Sequence, residues 1–356
     1  MDKKILTGFI AGIITALFIT AITLLFVFSM HDQKQEPKAN DVEPDISEIR
    51  NDEEPNLSKI SLAINTFPNS ALVHIAQEKG YFIQEGLDVK YHAFPTGKIA
   101  LDAMIGGGAD IATTADVPIA LAGLAEQKIS VIATIEYSND NIQVVARSDR
   151  GITSPADLKG KKISTTKGGG PLFFTHKFLE KYDIDLSDIE LVYLTPHEML
   201  TALIRGDIDA LIVFEPFPYM ARKELGAENT IVFIGQELYG ETWNIVVRKD
   251  FESENPQKVK SFLKALSKAD TFLKENPQES LNIVAEYSET DTETLSEMMK
   301  RQTYGLVLNE LLTDYLYQEA EWAIRQGLTS KKNIPDYDSM INRDFLNEIN
   351  PEGVTI

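Results

Sequence analysis

The chain has 356 residues, 43% of them hydrophobic, which is enough for two lobes with separate cores rather than one small module. Its 54 acidic against 34 basic residues leave a net charge of -20, and that excludes nucleic acid as an expected partner, because phosphate binding needs a basic footprint. The absence of Cys excludes disulfides, thiolate metal sites, thiol nucleophiles and a lipid-modified N-terminal Cys.

Residues 5–28, ILTGFIAGIITALFITAITLLFVF, carry no charge. As a helix rising about 1.5 Å per residue they exceed the roughly 30 Å hydrocarbon core of a bilayer. Lys3 and Lys4 precede this run and an acidic segment follows, so the positive-inside rule predicts a single-pass anchor at the cell membrane, with a cytoplasmic N-terminus and everything after residue 30 outside. A cleaved signal peptide would have a shorter apolar region and a small-x-small site, which FVFSMHD does not supply. Residues 31–57 are polar, acidic and interrupted by Pro37, Pro44 and Pro55, the composition of a flexible tether.

From Lys59 onward strand-like and helix-like segments alternate. KISLAIN, LDVKYHAF and ADIATT read as strands, with SALVHIAQEKG and TGKIALDAMIGGG as the helices between them. VPIALAGLAEQ continues as helix and ISVIATIEY as strand, completing the rhythm of a sheet covered on both faces. NIQVVARSD, residues 141–149, ends that series, and the rhythm restarts with KKIST, a glycine loop, its helix, IELVYLT, PHEMLTALIRG, DIDALIVF, EPFPYMARKELG and TIVFIG. WNIVVRKDF, residues 243–251, repeats the pattern of NIQVVARSD, so the two are expected to be crossover strands that leave one lobe and return to it. The remainder, including QKVKSFLKALSKADTFLKENP, TETLSEMMKRQTYG and LTDYLYQEAEWAIRQG, reads as helices packed on the first lobe.

The restart contains STTKGGGPLFF, residues 164–174. It is not a Walker A loop, since Lys167 precedes the glycines, and it does not fit G-x-G-x-x-G. Its physics still suits an anion: Pro171 fits the first turn of a helix, glycines before it let backbone approach a ligand, and free N–H groups face outward at the positive end of the helix. A plain strand-to-helix turn is the competing reading.

The ordered series GYFIQEGLDV, LDAMIGGGADIATTADVP, ADLKGKKIST, ALIRGDIDALIVFEPF and NPQKVKSFLKALSKA resembles the extracytoplasmic solute-binding proteins of ABC importers, in the branch for sulfonates, taurine, nitrate and thiamine precursors. The resemblance covers nearly all of residues 58–330. It implies an α/β, two-lobed, type II-like periplasmic-binding-protein fold with two crossover strands, here preceded by one transmembrane helix. It also implies a solute held between the lobes and delivery to a permease and its ATPase. The corresponding division places the cytoplasmic stub and anchor at 1–30, the tether at 31–57, lobe 1 at 58–142 plus 248–356, and lobe 2 with its crossover strands at 143–247.

Ligands of open α/β sheets sit beyond the carboxyl ends of strands. The loop after KISLAIN offers Asn65, Thr66, Phe67 and Asn69 immediately before a helix, where Asn69 or Ser70 is read either as a helix cap or as a ligand contact. Thr113, Thr114 and Asp116 follow, the threonines resembling the family's anion-binding turn and Asp116 fitting a helix N-cap. Lys167, Gly168, Gly169 and Gly170 form the expected anion loop, with Lys167 either supplying charge or simply solvated. Glu215 is read as an acceptor for a ligand amine or as a carboxylate at a helix start, and Trp243 as an aromatic wall, Phe67 being a second, or as core. Five dispersed histidines without H-E-x-x-H give no metal site, no G-x-S-x-G appears, and no cofactor or catalytic residue is expected. The ligand is expected to be a small anion, an alkanesulfonate, taurine or nitrate. A thiamine pyrimidine precursor or similar heterocycle, or a ligand-sensing ectodomain, are the alternatives.

Overall fold

The computed structural model describes residues 57–356. The apolar run 5–28 and nearly all of the 31–57 tether lie outside the described residues. Among those described, no helix is long and apolar enough to cross a membrane.

The chain folds as an α/β protein of two lobes, each built on a mixed sheet. Strands β1 (Ser58–Ile64), β2 (Leu87–Ala93), β3 (Ile111–Ala115) and β4 (Ile129–Ser138) start the first sheet. β5 (Ile142–Arg147), β6 (Lys162–Thr165), β7 (Glu190–Tyr193), β8 (Ala210–Phe214) and β9 (Thr230–Ile234) form the second. The chain then returns for β10 (Glu241–Arg248) and β11 (Thr303–Val307). Among the described residues the sheet orders are β11-β4-β10-β3-β1-β2 and β7-β6-β8-β5-β9. β1 pairs parallel to β2 and β3, and β6 parallel to β7 and β8, so the carboxyl ends of both parallel sets open on loops that lead into helices.

The helices are α1 (Ala71–Glu78), α2 (Tyr81–Gln84), α3 (Gly97–Ile105), α4 (Asp116–Leu124), α5 (Gly170–Lys181), α6 (Pro196–Arg205), α7 (Phe217–Leu225), α8 (Lys249–Glu254), α9 (Pro256–Glu275), α10 (Pro277–Ser288), α11 (Thr292–Met299), α12 (Glu310–Arg325) and α13 (Asp344–Ile349). The long α9 buries Val259, Phe262, Leu263, Leu266 and Ala269, a stripe at helical spacing that packs on α1 and α13. Phe262 stacks on Phe82 with ring centroids 5.0 Å apart. β4 and β10, covered on both faces, are buried almost throughout, which accounts for the continuous apolar run ISVIATIEY.

Three local differences from the sequence reading have physical causes. NIQVVARSD and WNIVVRKDF do not themselves cross between lobes: β5 lies in the second sheet between β8 and β9, and β10 in the first between β4 and β3. By sheet membership the crossings are the short segments 139–141 and 235–240. TETLSEMMKRQTYG stops being helical at Met299, because Thr303 and Tyr304 pair with β4 and cover that sheet edge. Asp116 is the first residue of α4 rather than its cap, a position that falls to Ala115.

Candidate functional site

A cavity of about 370 Å³ lies where the carboxyl ends of the two parallel strand sets face each other. The first lobe contributes Asn65 and Asn69 after β1, the segment Pro95–Ile99 after β2, Ala115 and Pro118 after β3, and Glu241 and Trp243 from β10. The second contributes Thr166–Pro171 after β6, Tyr193–Pro196 and Glu198 after β7, and Phe214 at the end of β8. The walls are largely apolar and aromatic, with a few polar groups among them, the usual make-up of a small-molecule site.

Four helices begin at this cavity, so four positive dipole ends converge on it. Three of them have a side-chain acceptor for an N–H of their own first turn. In α3 the Thr96 hydroxyl accepts from the Ile99 N–H at 3.3 Å. In α4 the Asp116 carboxylate accepts from Val117 N–H at 2.9 Å. In α6, Thr195 and Glu198 form a reciprocal capping box. The start of α5 has no such acceptor, since Gly169 occupies its cap and Pro171 follows at the second helical position. The N–H groups of Gly168, Gly169 and Gly170 have no hydrogen-bond acceptor among the described residues. Gly168 and Gly169 take φ of 84° and 81°, the left-handed region that requires glycine here.

Gly170 meets a closer constraint. A Cβ there would stand 2.7 Å from Glu241 Oε1 and 2.9 Å from Ile142 Cδ1, so its lack of a side chain lets α5 begin against the floor of the cavity. Gly97 does the same for α3, where a Cβ would lie 2.5 Å from Trp243 Cη2 and 2.9 Å from Thr114 Cα. Trp243 is anchored by donating from Nε1 to Ser70 Oγ at 3.1 Å, and Ser70 in turn donates to Asn65 Oδ1 at 3.1 Å. Asn69 is 6% exposed and lines the cavity with its Oδ1 buried and without a partner.

Glu241 is the ionisable group of the floor. Asn141 Nδ2 donates to its Oε2 at 2.5 Å, which ties the first crossing to the start of β10. Burial, reinforced by the nearby Asp116, pushes its carboxyl up to about 8. Lys98 and Lys167 are the basic residues of the lining; Lys98 pairs with Asp102 at 2.5 Å, with its Cε 3.6 Å from where a Cβ on Gly168 would stand, and Lys167 is exposed.

Of the residues singled out from sequence, the cavity brings together Asn65, Asn69, Lys167, Gly168, Gly169, Gly170 and Trp243. The others lie outside its lining. Thr66 is not among the lining residues. Phe67 points into the second lobe, 5.5 Å from Phe214 and 5.8 Å from Phe217, as an aromatic contact between lobes. Thr113 and Thr114 are fully buried in β3, Thr113 beside Ser70 Oγ at 3.4 Å. Asp116 is also fully buried and accepts from the Tyr239 hydroxyl and from Thr242 N–H and Oγ1 at 2.7 and 2.9 Å. Burial raises its carboxyl above the usual range and these hydrogen bonds pull it back. Glu215 accepts from Arg301 Nη2 at 2.8 Å, Gln143 Nε2 at 3.3 Å and, in the first turn of α7, from Tyr219 N–H at 3.1 Å.

Thr96, Gly97, Lys98, Tyr193 and Glu241 belong to the lining without having been selected from sequence as ligand contacts. For Thr96–Lys98 a signal was present: a strand followed by a capping Thr and a Gly, the same grammar that drew attention to the anion loop.

A family model described as NMT1/THI5 like matches residues 67–280. A Bacillus subtilis (strain 168) protein named for binding aliphatic sulfonates is 25% identical over 284 residues, 76% of this chain and 82% of that protein. The taurine-binding periplasmic protein of Escherichia coli (strain K12) is 27% identical over 244 residues, 65% of this chain and 73% of its own. Among solved structures, the periplasmic aliphatic sulphonate binding protein SsuA of Escherichia coli superposes with a TM-score of 0.68 at 20% identity, covering 82% of this chain and 98% of that one. The periplasmic nitrate-binding protein NrtA from Synechocystis PCC 6803 does so with a TM-score of 0.67 at 16% identity, covering 84% and 89%. The likeness to the two structures is one of fold.

Proposed function

The chain belongs to the NMT1/THI5-like family, and from that premise we propose that it is the membrane-tethered solute-binding component of an ABC importer, holding a small organic or inorganic anion such as an alkanesulfonate, taurine or nitrate between its lobes. The observation that carries the anion is the start of α5: of four helix N-termini at the cavity it is the one without a side-chain acceptor, and three N–H groups without an acceptor among the described residues belong to glycines that line a space large enough for a ligand. The relatives named for aliphatic sulfonate and taurine binding support the same ligand class. Closure of the lobes about segments 139–141 and 235–240 would create the form that a permease recognises. Tethering rests on the uncharged run 5–28 behind Lys3 and Lys4. The heterocycle alternative loses its main support, since Glu215, its expected amine acceptor, is engaged by Arg301 outside the lining.

The test is a thermal-shift screen of the full chain against alkanesulfonates, taurine, nitrate, bicarbonate and thiamine precursors. A ligand at about 100 times its Kd adds close to 2.7 kcal/mol, an easily measured shift. Stabilisation by a sulfonate or nitrate, lost in Gly169→Asp, supports the reading; stabilisation by a pyrimidine alone defeats it. Retention of the full chain in the membrane fraction after alkaline carbonate washing tests the tether.

A further inference from the structure

The anion loop and the one ionisable group of the cavity floor stand side by side. A Cβ on Gly170 would be 2.7 Å from Glu241 Oε1, so this oxygen lies against the first residue of α5, where the unserved N–H groups gather. Oε2 is held by Asn141, while Oε1 makes no hydrogen bond among the described residues. Glu241 is itself part of the cavity lining. An ionised carboxylate at that place would compete with any anion for the same helix end; a neutral carboxyl would instead turn an O–H toward it.

We propose that Glu241 is a ligand-contacting, specificity-determining residue that donates a hydrogen bond, as a neutral acid, to the anionic head at Gly168–Gly170, so that the anion binds to the protonated form and brings a proton with it only under alkaline conditions where the free carboxyl is ionised. This deepens the anion-binding reading above and rests on it.

The surroundings of Glu241 favour its protonated form. The titratable groups that act on it or feel it are Asp116 from the start of α4, Glu136 from β4, Glu319 from α12 and Tyr239 from the second crossing, and none is a cation. Of the basic residues of the lining, Lys167 is exposed and Lys98 lies beside Gly168 and pairs with Asp102; neither is among the groups that shift Glu241. With its carboxyl pushed up to about 8, Glu241 carries a proton at neutral pH before any ligand arrives. Asn69 belongs to the same lining, and its Oδ1 is buried there without a hydrogen-bond partner.

The experiment is isothermal titration of the full chain in mild detergent with pentanesulfonate and with nitrate, at pH 6.5 and 9.0, each in two buffers of different ionisation enthalpy. The wild-type chain is expected to bind about tenfold more weakly at pH 9.0 and to take up close to one proton per anion there, with little uptake at pH 6.5. Glu241→Gln keeps a donor of similar shape, so it should bind within about threefold of wild type at pH 6.5 and lose both the pH dependence and the proton uptake. Anion binding that is equally tight at the two pH values, without proton uptake, overturns the role of Glu241 and leaves the anion site standing. The same pH dependence surviving in Glu241→Gln has the same meaning. Failure of both anions to bind at either pH overturns the role and the site together.

Discussion

Arg301, just beyond α11 in the lobe of the first sheet, donates to Glu215, which follows β8 in the second, at 2.8 Å, and reaches Asp140 in the first crossing at 3.4 Å. Glu215 is almost fully buried while Arg301 keeps about a third of its side chain exposed, at 3% and 32%. The pair therefore joins the lobes at a partly dry contact, with the carboxylate depending on the guanidinium. Arg301→Gln leaves Glu215 buried without a cation, at a cost between about 1 and 3 kcal/mol, intermediate between exposed and fully buried pairs. Urea unfolding of Arg301→Gln, Glu215→Gln and the double variant measures it. Additive losses would show that the two groups do not act as a pair.

Glu241 sets an alkaline limit on stability. Its folded value of about 8 lies above the 4.5 of a free glutamate, so its contribution is complete below about pH 4.5 and is lost as pH rises through 8. Glu241→Gln removes that loss, and its stability advantage over wild type should grow by on the order of 2 kcal/mol between pH 6.5 and 8.5, then level off. Melting temperatures of both proteins across this range check the sign. His74, fully buried and lowered by burial to about 4, sets the opposite limit: its contribution is present above pH 6.5 and is lost as pH falls through 4.

Gly97→Ala drives a methyl into Trp243 and into the backbone of Thr114, at 2.5 and 2.9 Å, and the backbone atom cannot step aside. A loss of about 1 to 3 kcal/mol is expected, together with weaker ligand binding as α3 lifts from the cavity wall. Gly80→Ala, with open space around it and φ of 67°, should cost only about 1 kcal/mol and leave binding intact. Denaturant midpoints and ligand affinities for both variants separate crowding from backbone strain.

Asn69→Leu replaces a carboxamide whose buried Oδ1 has no partner by an apolar side chain of similar length. The ligand-free protein should become more stable by about 1 kcal/mol, because the uncompensated desolvation disappears. Ligand affinity should fall at least tenfold. A stabilised variant with unchanged affinity would remove Asn69 from the site.

Much of this layout was legible because parallel strands announce where their ligands go. Asn65 and the Lys167–Gly170 loop follow β1 and β6 directly, and both line the cavity. Glu241 was out of reach for the opposite reason: it opens an antiparallel return strand, and only the pairing of β10 with β3 and β4 brings it to the foot of α5. Glu215 offered two readings of equal chemistry, and the residue that decides between them, Arg301, lies 86 positions later. Phe67 likewise reads as a wall until Phe214 and Phe217 arrive from the other lobe. Tertiary partners distant in sequence settle such cases, and local propensity carries no trace of them.

The chain has two tryptophans. Trp243 stands in the cavity wall, and Trp322 meets Phe173 of the other lobe at 5.1 Å between ring centroids. One indole therefore reports on what occupies the cleft and the other on whether the lobes touch. Emission from Trp243 in a Trp322→Phe variant, and from Trp322 in a Trp243→Phe variant, would time ligand arrival and lobe closure separately, without any added label.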